Sequence, residues 1–273
     1  MDERTVFLIS DQTGVTVETL GHTLLTQFET VKFKLLTLPF VDTVDKAKQV
    51  AERIDRLAEE QGVRPIVFTS LVQEQVREPL LRSKGLVLDF FEAFVAPLEE
   101  ELSVKSSHML GRAHGMFDVQ SYDLRIDATN YAIAVDDGHG VQYYDRADVI
   151  LIGVSRSGKT PTCLYLALQY GVFAANYPLA EEDLEASRLP AVLAPYRSKL
   201  YGLTISPERL RQIRLERRAV GRYSSPQQVS FELRAAEALF KKYAVPHIDT
   251  THSSIEEIAS KILNETGIER RVR

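Results

Sequence analysis

The 273-residue sequence predicts an α/β protein built as two layered domains, each a mostly parallel sheet flanked by helices. Three observations predict it. Short β-rich runs alternate with long amphipathic segments from Val6 to about Leu102; the alternation breaks over Ser103–Arg146; and it resumes at the apolar run beginning at Val149. The boundaries read as 1–104 for the first domain, 105–147 for a connector and 148–273 for the second domain.

In the first domain the strand candidates are Val6–Ser10, Phe33–Leu38, Arg64–Thr69 and Leu86–Leu88. Between the second and third, Thr43–Gln61 sets Val44, Ala47, Ala51, Ile54, Leu57 and Ala58 near helical spacing, and Gly62 stops the helix. The loop Ser10–Thr16 joins a strand to a helix through small polar residues and one glycine. It reads either as an anion site at a helix start or as ordinary N-capping by Asp11 or Thr13. The connector is polar and glycine-spotted, with a short helical stretch near Arg125–Val135 and a turn holding Asp136 and Asp137.

The second domain opens on Asp148–Thr162, DVILIGVSRSGKTPT. Here a continuously apolar strand, Val149–Ile152, runs into the pattern G-x-x-x-x-G-K-[ST], with Gly153, Gly158, Lys159 and Thr160 at the fixed positions. Glycines let consecutive N–H groups face a polyphosphate, and the helix over Cys163–Tyr170 points its positive dipole end at the same anion. The expected nucleotide-binding set is therefore Gly153, Val154, Ser155, Arg156, Ser157, Gly158, Lys159 and Thr160. Lys159 would neutralise the terminal phosphate and Thr160 would hold Mg²⁺. The second domain thus reads as a phosphate-loop, kinase-like α/β core. Later strands are expected within Gly171–Leu179, Lys199–Ile205 and Val245–Thr251, Pro190 and Pro195 limit any helix over Leu184–Ser198, and Ser254 with Glu257 forms a capping box before the last helix.

No aspartate follows four apolar residues as a metal-water ligand should, so Asp249, at the end of a strand, is the best positional candidate for an acidic catalytic residue. Asp183, Asp136 and Asp137 read as caps or turns. His108 and His114 could relay protons or accept a phosphoryl group, although no spacing suggests zinc. Arg211, Arg214, Arg218 and Arg222 share a face of a continuous helix. They read as a phosphate-clamping lid or docking face, or equally as a solvated helix face.

Composition bounds the rest. An apolar fraction of 44% supports a real core, and a net charge of -5 with pI near 5.8 argues against nucleic-acid binding. The single cysteine, Cys163, excludes an intrachain disulfide and reads as a small buried hydrophobe in a reducing, cytoplasmic compartment. No leader or membrane-length apolar run is expected, and no internal repeat stands out.

The phosphate-loop variant at Gly153–Ala167 resembles that of the regulatory proteins of pyruvate, phosphate dikinase and of its relative phosphoenolpyruvate synthase. The likeness extends to ISDQTGVT at Ile9, LPFV at Leu38, APL at Ala96, DDG at Asp136, AANYPL at Ala174, GLTISPERL at Gly202, ERR at Glu216 and SIEEIA at Ser254. The resemblance implies a bifunctional enzyme. It would use ADP to phosphorylate a threonine of the target, releasing AMP, and would reverse this with inorganic phosphate, releasing pyrophosphate. It also implies a dimer, and phosphoenolpyruvate synthase rather than the dikinase as target. From the residues alone, an ATP-dependent small-molecule kinase and a non-catalytic nucleotide sensor remain open.

Overall fold

The computed structural model describes residues 3–107, 119–217 and 221–272. His108, His114 and Arg218 lie outside the described residues. The chain divides into two compact units, Met1–Gly115 and Met116–Arg273.

The first unit runs β1 (Arg4–Ile9), α1 (Val15–Leu25), β2 (Phe33–Leu38), α2 (Val44–Gln61), β3 (Ile66–Thr69), α3 (Glu74–Leu81), β4 (Leu86–Asp89) and α4 (Phe90–Leu102). Its four strands are parallel in the order β2-β1-β3-β4, with Val6 beside both Leu35 and Ile66. Val6, Phe7, Leu8 and Ile9 are all fully buried, as befits a strand covered on both faces. Phe7 and Ile9 pack with Ala47, Ile54 and Leu80 of α2 and α3, while Val6 and Leu8 pack with Val17 and Leu25 of α1. The expected α2 is present: the Thr43 hydroxyl accepts from the Lys46 N–H, and Gly62 closes the helix in the left-handed region. The first-loop capping reading is corrected. The N-cap of α1 is Gly14, which makes no side-chain cap, and Asp11 instead turns inward to accept from the Val72 N–H at 2.9 Å.

The second unit runs α5 (Val119–Ala134), β5 (Val149–Gly153), α6 (Lys159–Tyr170), β6 (Ala174–Pro178), α7 (Glu181–Glu185), β7 (Leu200–Thr204), α8 (Pro207–Arg217), α9 (Pro226–Tyr243), β8 (His247–Asp249) and α10 (Ile255–Thr266). Its strands are also all parallel, in the order β6-β5-β7-β8. Both sheets thus place the first strand second from one edge, with the next strand outside it and the later two on the other side. Ile150 and Ile152 face Val229, Leu233 and Phe240 on the α9 side; Val149 and Leu151 face Ala128, Leu166 and Ile262 on the side of α5, α6 and α10. Much of the stretch read as connector therefore packs into this unit's core through α5. The predicted capping box is present, with Glu257 accepting from the Ser254 N–H at 2.8 Å. At the far end of β5 from its loop, Arg271 clasps Asp148 with two hydrogen bonds of 2.7 Å, and its N–H donates to the Tyr170 carbonyl.

Candidate active site

In an open parallel sheet, ligands bind at the carboxyl ends of the strands where the chain order reverses. In the second unit that point lies between β5 and β7, and the Gly153–Thr160 loop leaves β5 there. A side chain at Gly153 would meet the Leu203 carbonyl oxygen at 2.4 Å, so only glycine lets the loop start this close to β7. Gly158 holds φ +93 as the N-cap of α6, and a β-carbon there would meet nothing within 4 Å. Arg156, a non-glycine residue at φ +77, holds a left-handed conformation that costs roughly 1–2 kcal/mol and that such sites tolerate. Its side chain is exposed.

Lys159 is 4% exposed, and its ammonium donates to the Val154 carbonyl at 2.9 Å across the loop. Burial pushes its pKa down to about 8, against the opposing pull of the Asp137 and Asp136 carboxylates. The Ser157 hydroxyl is buried with no hydrogen-bond partner. A buried unpaired hydroxyl costs ~1–3 kcal/mol, so an acceptor supplied by a ligand relieves it. Val154 itself packs in the core, and Ser155 hydrogen-bonds Tyr223 through its hydroxyl at 2.9 Å.

The structure gives Thr160 a partner that the linear pattern did not. Its hydroxyl donates to Asp136 at 2.8 Å. Asp136 sits in the turn Asp136–Gly138, fixed from β6 by the fully buried Asn176: the Asn176 amide N–H donates to Asp136, and its carbonyl accepts from the Asp137 N–H at 3.1 Å. The favoured acidic candidate, Asp249, lies elsewhere. On edge strand β8, its carboxylate accepts from the N–H of Thr251, at 2.8 Å, and from the Thr251 hydroxyl, closing a local turn. Its neighbour Thr250 reaches the loop, donating to the Ser157 carbonyl at 3.3 Å. Asp183 caps α7 through the Ala180 N–H.

The arginine run does not form one face. Among its described members, Arg211 on α8 is exposed, and Arg222 lies in the turn Arg222–Ser224, paired with Glu181. Arg214 turns inward. It is fully buried, donates to the Ser155 carbonyl at 3.2 Å, to the Tyr223 carbonyl at 2.9 Å and to Glu232 at 2.6 Å, and stacks 4.1 Å above the Tyr223 ring. It braces the phosphate loop from behind. Cys163, one turn into α6, is buried against the Ala175 carbonyl of β6 at 3.4 Å, and burial raises its thiol pKa.

A loop with an inward lysine, an orphaned hydroxyl and an adjacent Thr–Asp pair has the donors and the acidic flank that a polyphosphate cradle needs. Against known sequences, the kinase/pyrophosphorylase family matches residues 6–263. The chain belongs to the kinase/pyrophosphorylase family. A Pseudomonas putida relative is 51% identical over 271 residues, covering 99% of this chain and all of its own length. One from Alkalilimnicola ehrlichii is 52% identical over 269 residues, covering 98% of each chain, and one from Pseudomonas savastanoi is 50% identical over 271. Each is named "Putative phosphoenolpyruvate synthase regulatory protein". No group of three or more His, Cys, Asp or Glu side chains stands ready for a metal among the described residues, and no described helix is long and apolar enough to cross a membrane.

Proposed function

We propose that this protein phosphorylates a threonine of phosphoenolpyruvate synthase with ADP as donor, and removes that phosphate with inorganic phosphate to give pyrophosphate. The observation that carries the reading is the Lys159–Ser157–Thr160–Asp136 arrangement, a phosphate cradle with a carboxylate at one side. The family supplies the pairing of kinase with pyrophosphorylase, and the relatives' names supply the target.

In the forward direction the loop N–H groups and Lys159 hold the two phosphates of ADP. The threonine oxygen forms a bond to the β-phosphorus as the bond to the α,β-bridging oxygen breaks, giving phosphothreonine and AMP. Asp136 is the carboxylate that would receive the hydroxyl proton; the sequence favoured Asp249 as the acidic residue and named no base. In reverse, a phosphate oxygen attacks the phosphothreonine phosphorus, the threonine oxygen leaves and takes up a proton, and pyrophosphate departs. One cradle serves both directions because each places two linked phosphoryl groups against the same loop.

The chemistry of the site suits Mg²⁺, a hard cation held by one or two protein oxygens plus substrate phosphates. The Thr160 hydroxyl and the Asp136 carboxylate are the oxygens that would hold it, and the ion would neutralise developing charge on the phosphoryl oxygens. ADP labelled on its β-phosphate, mixed with this protein and purified synthase, is expected to label a threonine and release AMP; added phosphate should then recover the label as pyrophosphate. Lys159→Ala is expected to lose both activities. Retention of either one refutes a shared site. Absence of transfer from ADP, with transfer from ATP to a small molecule, refutes the reading outright.

A further inference from the structure

We propose that the cleft at the carboxyl ends of β7 and β8 is the nucleoside subsite for the nucleotide whose phosphates the Gly153–Thr160 loop holds. It rests on the phosphate-loop reading above and adds where the base and sugar lie.

The two flanks of the loop differ. On the β6 side the space is taken by the Asp136 turn and the buried Asn176, bound to one another. On the β8 side there is a cavity of about 680 Å³ lined by Ser206, Glu208, Arg209, Gln212, Thr251 and His252. A volume of that order is typical of small-molecule sites, roughly 300–1,000 Å³. The cavity wall and the loop are physically joined. Thr250, next to the lining residue Thr251, bonds both the Ser157 carbonyl of the loop and the Thr204 carbonyl that ends β7. The two walls are tied together by the Ser206 N–H, which donates to the Thr251 hydroxyl at 2.7 Å. A ligand with phosphates on the loop and its other end in this cavity therefore follows one continuous, braced surface.

The lining has the chemistry of a nucleoside site. Arg209 offers a planar guanidinium, steadied by Gln212 at 2.9 Å, and His252 offers an imidazole. Flat cationic and aromatic groups stack on heteroaromatic bases. Glu208 and Ser206 supply oxygens for ribose hydroxyls and exocyclic amines. The cavity of about 430 Å³ beside Arg222 and Glu181 fits less well. Its route to the loop passes through Gln228, Glu232 and Arg214 in relay, and the Arg222–Glu181 ion pair lies in its wall.

This placement fixes the polarity of the nucleotide. With the base on the β8 side, the terminal phosphate points toward Thr160 and Asp136, so the acceptor hydroxyl approaches from the β6 side.

Inorganic pyrophosphate, which has the two phosphates and no nucleoside, separates the subsite from the loop. Gln212→Trp, filling the cavity, and Arg209→Ala with His252→Ala, stripping it, change exposed residues and are expected to melt with the wild type. By calorimetric titration the variants should bind ADP about tenfold more weakly while binding pyrophosphate within about twofold of wild type. ADP and pyrophosphate affinities both unchanged would overturn the subsite. So would a change confined to the KM for the protein substrate, which would make the cleft an acceptor-docking site. A wild-type protein that binds neither ligand would instead remove the phosphate-loop reading, and the subsite with it.

Discussion

Raising the pH from 7 to 9 should weaken ADP binding about tenfold, and Lys159 is the reason. An ordinary lysine is fully charged across this range, but burial brings the Lys159 pKa from 10.5 down to about 8. The groups facing it are the Asp136 and Asp137 carboxylates, which favour its charge, and the Arg214 guanidinium, which opposes it; the Cys163 thiol is held neutral by burial. In the free protein Lys159 is charged in about nine molecules of ten at pH 7, half at pH 8 and one in ten at pH 9. The phosphates of ADP restore full charge, so binding takes up about 0.1 proton at pH 7, about 0.5 at pH 8 and about 0.9 at pH 9. ADP keeps its own charge over this interval, since a terminal phosphate loses its last proton near pH 6. The stability effect has the opposite direction from that of a paired lysine. The unfolded chain holds the Lys159 proton more tightly, so folding is penalised below pH 8, by ~3 kcal/mol, and the penalty lifts as pH rises toward 10.5. Calorimetry in two buffers of different ionisation heat measures the proton uptake directly. Equal affinity at pH 7 and pH 9, with no buffer dependence, would refute a depressed Lys159 facing the phosphates, and Lys159→Met should abolish any dependence that is seen.

Asp136→Asn should cost ~10²-fold or more in phosphoryl transfer with little change in melting temperature, because the amide oxygen still accepts from Thr160 and Asn176; Asp249→Asn should stay within about threefold of wild type. The reverse ranking in a steady-state assay would return the acidic role to Asp249. Arg214→Ala strands Glu232 and uncaps two carbonyls, at ~3–5 kcal/mol, so thermal unfolding should fall by on the order of 10 °C, whereas exposed Arg211→Ala should shift it by about 1 °C. A wild-type melting curve for Arg214→Ala would deny the brace behind the loop.

What the sequence made legible was local. The run from Val149 through Gly158 to Tyr170 announces strand, loop and helix within a few residues, and Thr43 with Gly62 or Ser254 with Glu257 mark helix ends by chemistry confined to one turn. The acidic flank was not legible, because its signal is a contact. Asp136 lies 24 positions before Thr160 and reads linearly as one aspartate in a turn; only the β6 strand, carrying Asn176, brings it to the loop. Asp249 has the strand-end position that the sequence favoured, but the local turn was not legible: Thr251, two residues later, donates twice to one oxygen of its carboxylate. In the arginine run, spacing fixes which residues share a face but not which way that face turns. Arg214 goes inward because Glu232 of α9, 18 positions on, is there to receive it. Helix α5 was understated because one of its packed faces is made of small residues, Ala128 and Ala132, while Tyr131 packs toward the other core cluster.

The clasp of Arg271 on Asp148 has a consequence in the order of assembly. All eight residues of the phosphate-loop motif are contiguous, yet the base of the strand that delivers them is held by a side chain 123 positions later, and the middle of that strand waits for β7 as its neighbour. Contacts so distant in sequence form slowly, since a long loop must close before they return anything. A fragment that stops before α10 would therefore carry every residue of the motif while lacking the clasp and helix that anchor it. Recovery of ADP binding during refolding should lag the appearance of helix, tracking the closure of the longest loop in the unit.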